Sequence, residues 1–237
     1  MTRREALLAL TAVRAAASTP RAQQFPLTSL EGLDILNIKA QAGAYRGTRA
    51  VRLLDSRTGT QPNMTNGRAV GKVGGQEGIA ILTGSEFEDG IIEAVIAGTP
   101  RAGSDVSTAR GFVGVAFRVQ KDAARFECFY IRPTNGRADD QLRRNHSTQY
   151  ISSPDFPWEK LRTENPGVYE SYCDLEAGAW TRVKIVVSGV EARLFVNDAA
   201  QPCLIVKDLK LGKTKGQVGL WIGADTDGWF SNVKVTT

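Results

Sequence analysis

Thr181-Arg182-Val183-Lys184-Ile185-Val186-Val187, then Ser188-Gly189, then Glu191-Ala192-Arg193-Leu194-Phe195-Val196, is the stretch that decides the fold class. Val183, Ile185 and Val187 share one side of an extended chain, while Arg182 and Lys184 share the other. A period of two with one greasy and one charged side marks a half-buried antiparallel strand. Ser188-Gly189 suits a tight turn, because glycine accepts positive φ at little cost. The same pattern recurs in both directions. Ile91–Ile96 follows the turn Glu88-Asp89-Gly90, and Gly111–Val119 and Arg125–Arg132 flank the polar connection 120–124. Cys203–Val206, Gln217–Ile222 and Trp229–Val235 complete the series. No window of a dozen residues beyond the N-terminus carries a helical apolar period. The chain therefore reads as all-β, a sandwich or barrel of short antiparallel strands. Leu33–Ile38 and Ala50–Leu54 are expected strands at a sheet margin, and 61–75 is an expected loop. Residues 133–167 show little strand pattern and are expected to form one long loop. Its Tyr150, Phe156 and Trp158 would pack it onto the sandwich.

The 237 residues are 42% hydrophobic, enough for one full core. The formal charge of +5 is concentrated at the start. Residues 1–22 hold Arg3, Arg4, Arg14 and Arg21 against Glu5, so the remainder is close to neutral. No dense basic run interleaved with aromatics follows, which excludes nucleic acid as an expected partner. Thr2-Arg3-Arg4-Glu5-Ala6-Leu7-Leu8 resembles a twin-arginine signal. An apolar run over Ala6–Val13 and small residues at Ala15–Ala17 and Ala22 fit it, although Arg14 interrupts it. Residues 1–22 are thus expected to be an export signal and 23–237 a single domain, located in the periplasm or outside the cell. No later run reaches the roughly 18 apolar residues of a transmembrane helix. Cys128, Cys173 and Cys203 form no metal-type spacing. One pair could join in an oxidising compartment, but the sequence does not choose it; three small buried residues is the other reading. The oligomeric state stays open.

Several segments carry a family resemblance in combination. They are Gly114-Val115-Ala116-Phe117-Arg118, Phe126-Glu127-Cys128-Phe129-Tyr130-Ile131-Arg132-Pro133, Trp180–Val187, Ala192–Asn197, Gly216–Trp221 and Gly228–Val233. Their order resembles a concanavalin A-like lectin/glucanase jelly roll over residues 78–237. It is similar to the bacterial exported 3-keto-disaccharide hydrolase-like and laminin-G-like groups. The resemblance implies an antiparallel β-sandwich and a sugar-type ligand on a concave sheet face. It does not carry over a catalytic motif. Glu86-Phe87-Glu88-Asp89 lacks the E-x-D-x-x-E spacing of laminarinase-type enzymes, and neither the alginate-lyase strands nor the legume-lectin metal ligands are reproduced.

The candidate ligand-binding set is Arg118, Tyr130, Arg132, Arg143, Gln149, Tyr150 and Trp158. Tyr130 and Arg132 are two apart and so point the same way, and Arg118 is expected on the neighbouring strand. Arginine forks and tyrosine hydroxyls grip sugar hydroxyls or carboxylates, and Trp158 offers a stacking plate. Trp180 and Trp221 read as core or rim packing. Were the protein a glycoside hydrolase, His146, Asp140 and Glu170 would carry proton transfer. A single histidine excludes zinc sites that need several imidazoles. Asp225 and Asp227 are candidate oxygen ligands for a structural calcium, or simply part of an Asp-Gly turn. No other cofactor is expected. A structural or adhesive domain is the third functional class.

Overall fold

The computed structural model describes residues 21–55, 78–105, 108–121 and 123–237, with the backbone of Met64–Thr65 and Arg68–Ala69. Two antiparallel sheets stack face to face. The eight-stranded sheet runs β15 (Leu204–Val206), β14 (Glu191–Val196), β13 (Thr181–Ser188), β8 (Gly90–Pro100), β17 (Thr226–Thr236), β4 (Thr48–Asp55) and β3 (Ile38–Tyr45), with β1 (Ala22–Phe25) also paired to β17. The seven-stranded sheet runs β12 (Glu170–Ser171), β11 (Thr148–Ser153), β10 (Phe126–Ile131), β9 (Val113–Val119), β16 (Gln217–Ile222), β7 (Gly78–Leu82) and β2 (Leu33–Leu36). A small ribbon, β5 (Met64–Thr65) with β6 (Arg68–Ala69), lies within the expected loop 61–75, whose other residues fall outside the described ones.

The opening hairpin folds as its pattern dictates. Thr181, Val183, Ile185 and Val187 are buried while Arg182 is exposed. They face the other sheet with Ile92, Ala94 and Ile96 of β8. Two glycines locate the interface between the sheets. A Cβ on Gly98 would meet Val113 Cγ1 at 2.8 Å, and one on Gly228 would meet Ile222 Cγ2 at 2.8 Å. Val113 and Ile222 therefore point inward, as do Val115, Phe117 and Leu220 two and four residues along their strands. Each such side chain removed from water contributes about 1.5–3 kcal/mol.

Two expectations need correction. Residues 133–167 are not one loop. They hold a 3-10 turn (Pro133–Asn135), α1 (Gln141–Asn145), the interior strand β11 and α2 (Trp158–Glu164). Secondly, the 50–54 strand is not marginal: β4 lies between β17 and β3, with Val51 and Leu53 fully buried. The expected leader falls outside the described residues up to position 20. Arg21 and Ala22 already belong to the sandwich, with the Arg21 amide donating to Thr237 O at 2.9 Å and Ala22 paired to Thr236.

Candidate functional site

Strand pairing lines up Glu170, Gln149, Tyr130, Gly114 and Trp221 directly opposite one another across the seven-stranded sheet. Gly114 follows the inward Val113, so the whole row faces away from the sandwich interior. Lacking a side chain, Gly114 lets the Tyr130 and Trp221 rings approach to 4.8 Å across it. Yet Tyr130, Gln149 and Glu170 are all buried, because the chain from Arg132 through α2 folds back over this side. Leu161 of α2 is itself fully buried, and α2 rests on β11.

Arg132 is the centre of the cluster. Only 4% of it is exposed. Its guanidinium donates to Tyr130 Oη at 2.8 Å, Gln149 Oε1 at 3.0 Å and the His146 carbonyl at 2.9 Å. It also lies over the Tyr130 ring at 4.9 Å and near the Trp158 ring at 5.8 Å. Burial lowers its pKa from the ordinary arginine value, and raises that of the Tyr130 phenol, which stays protonated. All three acceptors of its hydrogen bonds are neutral groups, so the cationic head is held by dipoles and ring faces.

Glu170 supplies the negative charge nearby. Arg162 grips its carboxylate with Nε at 2.9 Å from Oε1 and Nη2 at 2.6 Å from Oε2. His146 Nε2 approaches the same Oε1 at 3.1 Å. Burial pushes the His146 imidazole below its ordinary pKa, Arg162 and Arg132 add to this by repulsion, and Glu170 pulls the other way. Arg162 then stacks on Trp158, its guanidinium 4.5 Å from the ring centroid. A second arginine-on-ring pair follows β12, where Arg144 lies 5.0 Å from the Tyr172 ring and donates to its hydroxyl at 2.8 Å.

The structure thus brings together Tyr130, Arg132, Gln149, His146, Glu170 and Trp158 from the expected set. It adds Arg162 and Tyr172, which sequence reasoning missed because nothing local sets them apart from surface residues. Arg143 borders the cluster through Asn135, with Nη2 3.5 Å from Oδ1 and a buried Nε that has no hydrogen-bond partner. Asp140 sits at the start of α1 as its N-cap, accepting from the Arg143 amide at 3.0 Å.

Four expected residues go elsewhere. Tyr150 follows Gln149 and so points inward, where its hydroxyl bonds Glu127. Arg118 lies at the far end of β9, fully buried, donating to the carbonyls of Glu88, Gly189 and Gly212 and to Asp89 Oδ1. It is a staple for three turns and does not share a site with Tyr130 and Arg132. Asp227 is held by Arg52 at 2.9 and 2.6 Å, and Asp225 by Arg101 at 2.8 Å. A carboxylate already neutralised by a guanidinium is a poor calcium ligand, so this pair does not fit the metal. Among the described residues no group of three His, Cys, Asp or Glu side chains could hold a metal ion.

Two surface concavities lie away from the cluster. One, of about 580 Å³, is bordered by Arg21, Gln23, Glu86, Asp89 and Lys215; the other, of about 200 Å³, opens beside Glu93, Lys184 and Phe195. The first is larger but is walled by exposed charges such as the Glu86–Lys215 pair, with no aromatic plate. The chemistry favours the cluster over β11. Four of the six exposed large hydrophobic side chains among the described residues, Leu142, Trp158, Val168 and Tyr172, lie in the chain segment that builds it.

No protein-family model and no curated protein matches this chain. Solved structures do. The carbohydrate binding module CBM66 from Bacillus subtilis superposes with a TM-score of 0.55 at 16% identity, over 89% of this chain and 99% of that one. A Bacillus subtilis protein of unknown function with a galectin-like fold gives 0.54 at 13% identity, over 90% and 94%. The fold is a two-sheet antiparallel β-sandwich of the kind seen in these two structures. The expected β-sandwich class is thereby established, and at such low identity the likeness speaks for architecture alone. No helix among the described residues is long and apolar enough to cross a membrane.

Proposed function

We propose that this protein is a carbohydrate-binding β-sandwich whose ligand docks on the outward side of the seven-stranded sheet, against Trp158. One observation carries the reading. Trp158 is 38% exposed, and directly beside it buried Arg132, Gln149 and Glu170 and the half-buried His146 are tied together by hydrogen bonds and an ion pair. An exposed indole supplies a plate for the C–H face of a sugar, and fixed donors and acceptors at its edge supply orientation. The solved carbohydrate-binding module of the same architecture supports the ligand class. Export, expected from the leader, agrees with an extracellular glycan ligand and is tested by locating the protein in cell fractions.

The test is an oligosaccharide panel read for binding and for product release in the same samples. Binding without turnover is expected, and Trp158→Ala should weaken it about tenfold, equivalent to about 1.4 kcal/mol, with unchanged folding. Affinity unchanged in that variant would overturn the placement; no binding across the panel would overturn the ligand class.

A glycoside-cleaving activity is the second reading, and the His146–Glu170 contact is what favours it. Against it, Arg162 already holds both Glu170 oxygens, and Asp140 is engaged as a helix cap. Hydrolysis needs an acid and a base with separated pKa values and room for substrate between them. Release of a sugar product, abolished by His146→Ala, would establish this reading in place of simple binding.

A further inference from the structure

Cys173 and Cys203 come from different sheets and meet at the open side of the sandwich. Cys173 follows the edge strand β12; its amide donates to Ser147 Oγ at 2.6 Å, and the same Oγ donates back to its carbonyl at 3.1 Å. Cys203 precedes the edge strand β15; its amide and its thiol both donate to the Leu194 carbonyl, at 2.8 and 3.5 Å. With both backbones anchored, the two thiols lie next to each other, close enough for each to perturb the other's ionisation. Both are half-buried and packed on the core, whereas Cys128 is enclosed within β10. The same two edges are also tied by Tyr169 Oη donating to Asp208 at 2.6 Å and by the Lys210 amide donating to Tyr150 Oη at 2.7 Å. A bridge there would therefore join edges that are already in register.

We propose that Cys173 and Cys203 are a disulfide site whose oxidation staples the edge of one sheet to the edge of the other, three residues from Glu170. The inference does not depend on the carbohydrate reading. A small external disulfide such as oxidised glutathione is a sufficient oxidant. Cys173, whose pKa its neighbour Cys203 lowers, gives its proton to water, and the thiolate attacks one glutathione sulfur, forming a mixed disulfide and expelling one glutathione thiolate. Cys203 releases its proton to water, and its sulfur attacks Cys173 Sγ, expelling the second. Two protein thiols are oxidised and one external disulfide becomes two thiols. The bridge would bind down β12, which has only two residues and pairs only with β11.

The full chain treated with oxidised glutathione, then denatured for thiol titration and peptide mapping, tests this. Two of the three thiols should be lost, with a single cross-linked peptide joining residues 173 and 203. Cys203→Ser should stop at a glutathione adduct on Cys173, and Cys128→Ser should still form the bridge. Amides at 170–173 should exchange more slowly in the oxidised protein. A lasting glutathione adduct on wild-type Cys173 with Cys203 free, a bridge through Cys128, or three unreacted thiols would overturn the site. Unchanged exchange at 170–173 in the bridged protein would overturn the staple.

Discussion

The Tyr150 hydroxyl donates to Glu127 Oε2 at 2.5 Å inside the sandwich, and both residues are fully buried. The ring is therefore part of the core, where the same oxygen accepts from the Lys210 amide at 2.7 Å and Glu127 Oε1 accepts from the Leu211 amide at 2.7 Å. Tyr150→Phe would leave the carboxylate and the Lys210 amide short of a partner, at a cost of about 1–3 kcal/mol in urea unfolding. Sugar affinity should not change.

Glu127 also gives a pH signature. Burial pushes its pKa above the ordinary carboxylate range, against the hydrogen bonds from Tyr150 and Leu211. The folded state thus holds this proton more tightly than the unfolded state does. Stability from this group is present below the ordinary carboxylate pKa and is lost as pH rises through the folded value. Denaturation midpoints measured across that window should fall with pH, and Glu127→Gln should flatten the decline.

His146 is the only histidine in the chain, so its ring protons can be followed by NMR without assignment. Its folded pKa is lowered, so the unfolded chain binds the proton more tightly. This contribution is complete above an ordinary histidine pKa of about 6.5 and is lost as pH drops through the folded value. The titration midpoint should lie below that of a model peptide. A midpoint above it would mean that attraction to Glu170 outweighs burial, contrary to the geometry described.

Arg118 should behave as a structural residue alone. Its removal in Arg118→Ala strips donors from three carbonyls, while Asp89 keeps the Gly189 amide, and each carbonyl left unsatisfied costs about 1–3 kcal/mol. Arg118→Lys restores charge without the fork and should recover only part of the loss. Ligand affinity of the folded fraction should match wild type in both, as isothermal calorimetry would show.

Gly114→Ala should disturb the site from below. The added Cβ would lie 2.4 Å from the Phe129 carbonyl and 2.5 Å from Tyr130 Cβ, so backbone must move. An overpacking cost of about 1–3 kcal/mol is expected. Near-UV circular dichroism should change with it, because the Tyr130–Trp221 contact depends on that gap.

The strands that the sequence reveals are those with one wet side. Val183, Ile185 and Val187 alternate with Arg182 and Lys184, and the pattern is local. The strand Thr148-Gln149-Tyr150-Ile151-Ser152-Ser153 hides itself because both its sides are buried and four of its six residues are polar. Those polar groups find partners far away in the chain, such as Arg132 for Gln149 and the Ser171 carbonyl for Thr148. Within the site, Tyr130 and Arg132 were legible from their spacing of two. Arg162 was not, since only the register of β11 with β12 brings Glu170 to it. Arg118 was misplaced for a definite reason. It takes a left-handed φ of 53° where the pairing of β9 with β16 slips by one residue, so a bulge re-aims its side chain.

The lengths of the border strands have a consequence for solubility. An intruding strand gains main-chain hydrogen bonds in proportion to the border it can follow. On the side where the thiols meet, those borders are β12 and β15, two and three residues long. Stacking of copies through that side would be starved of bonds after a single turn of the pleat. The eight-residue border of β3 is the longer invitation, and it carries Lys39 at an exposed position, a charge that a growing fibril would have to bury.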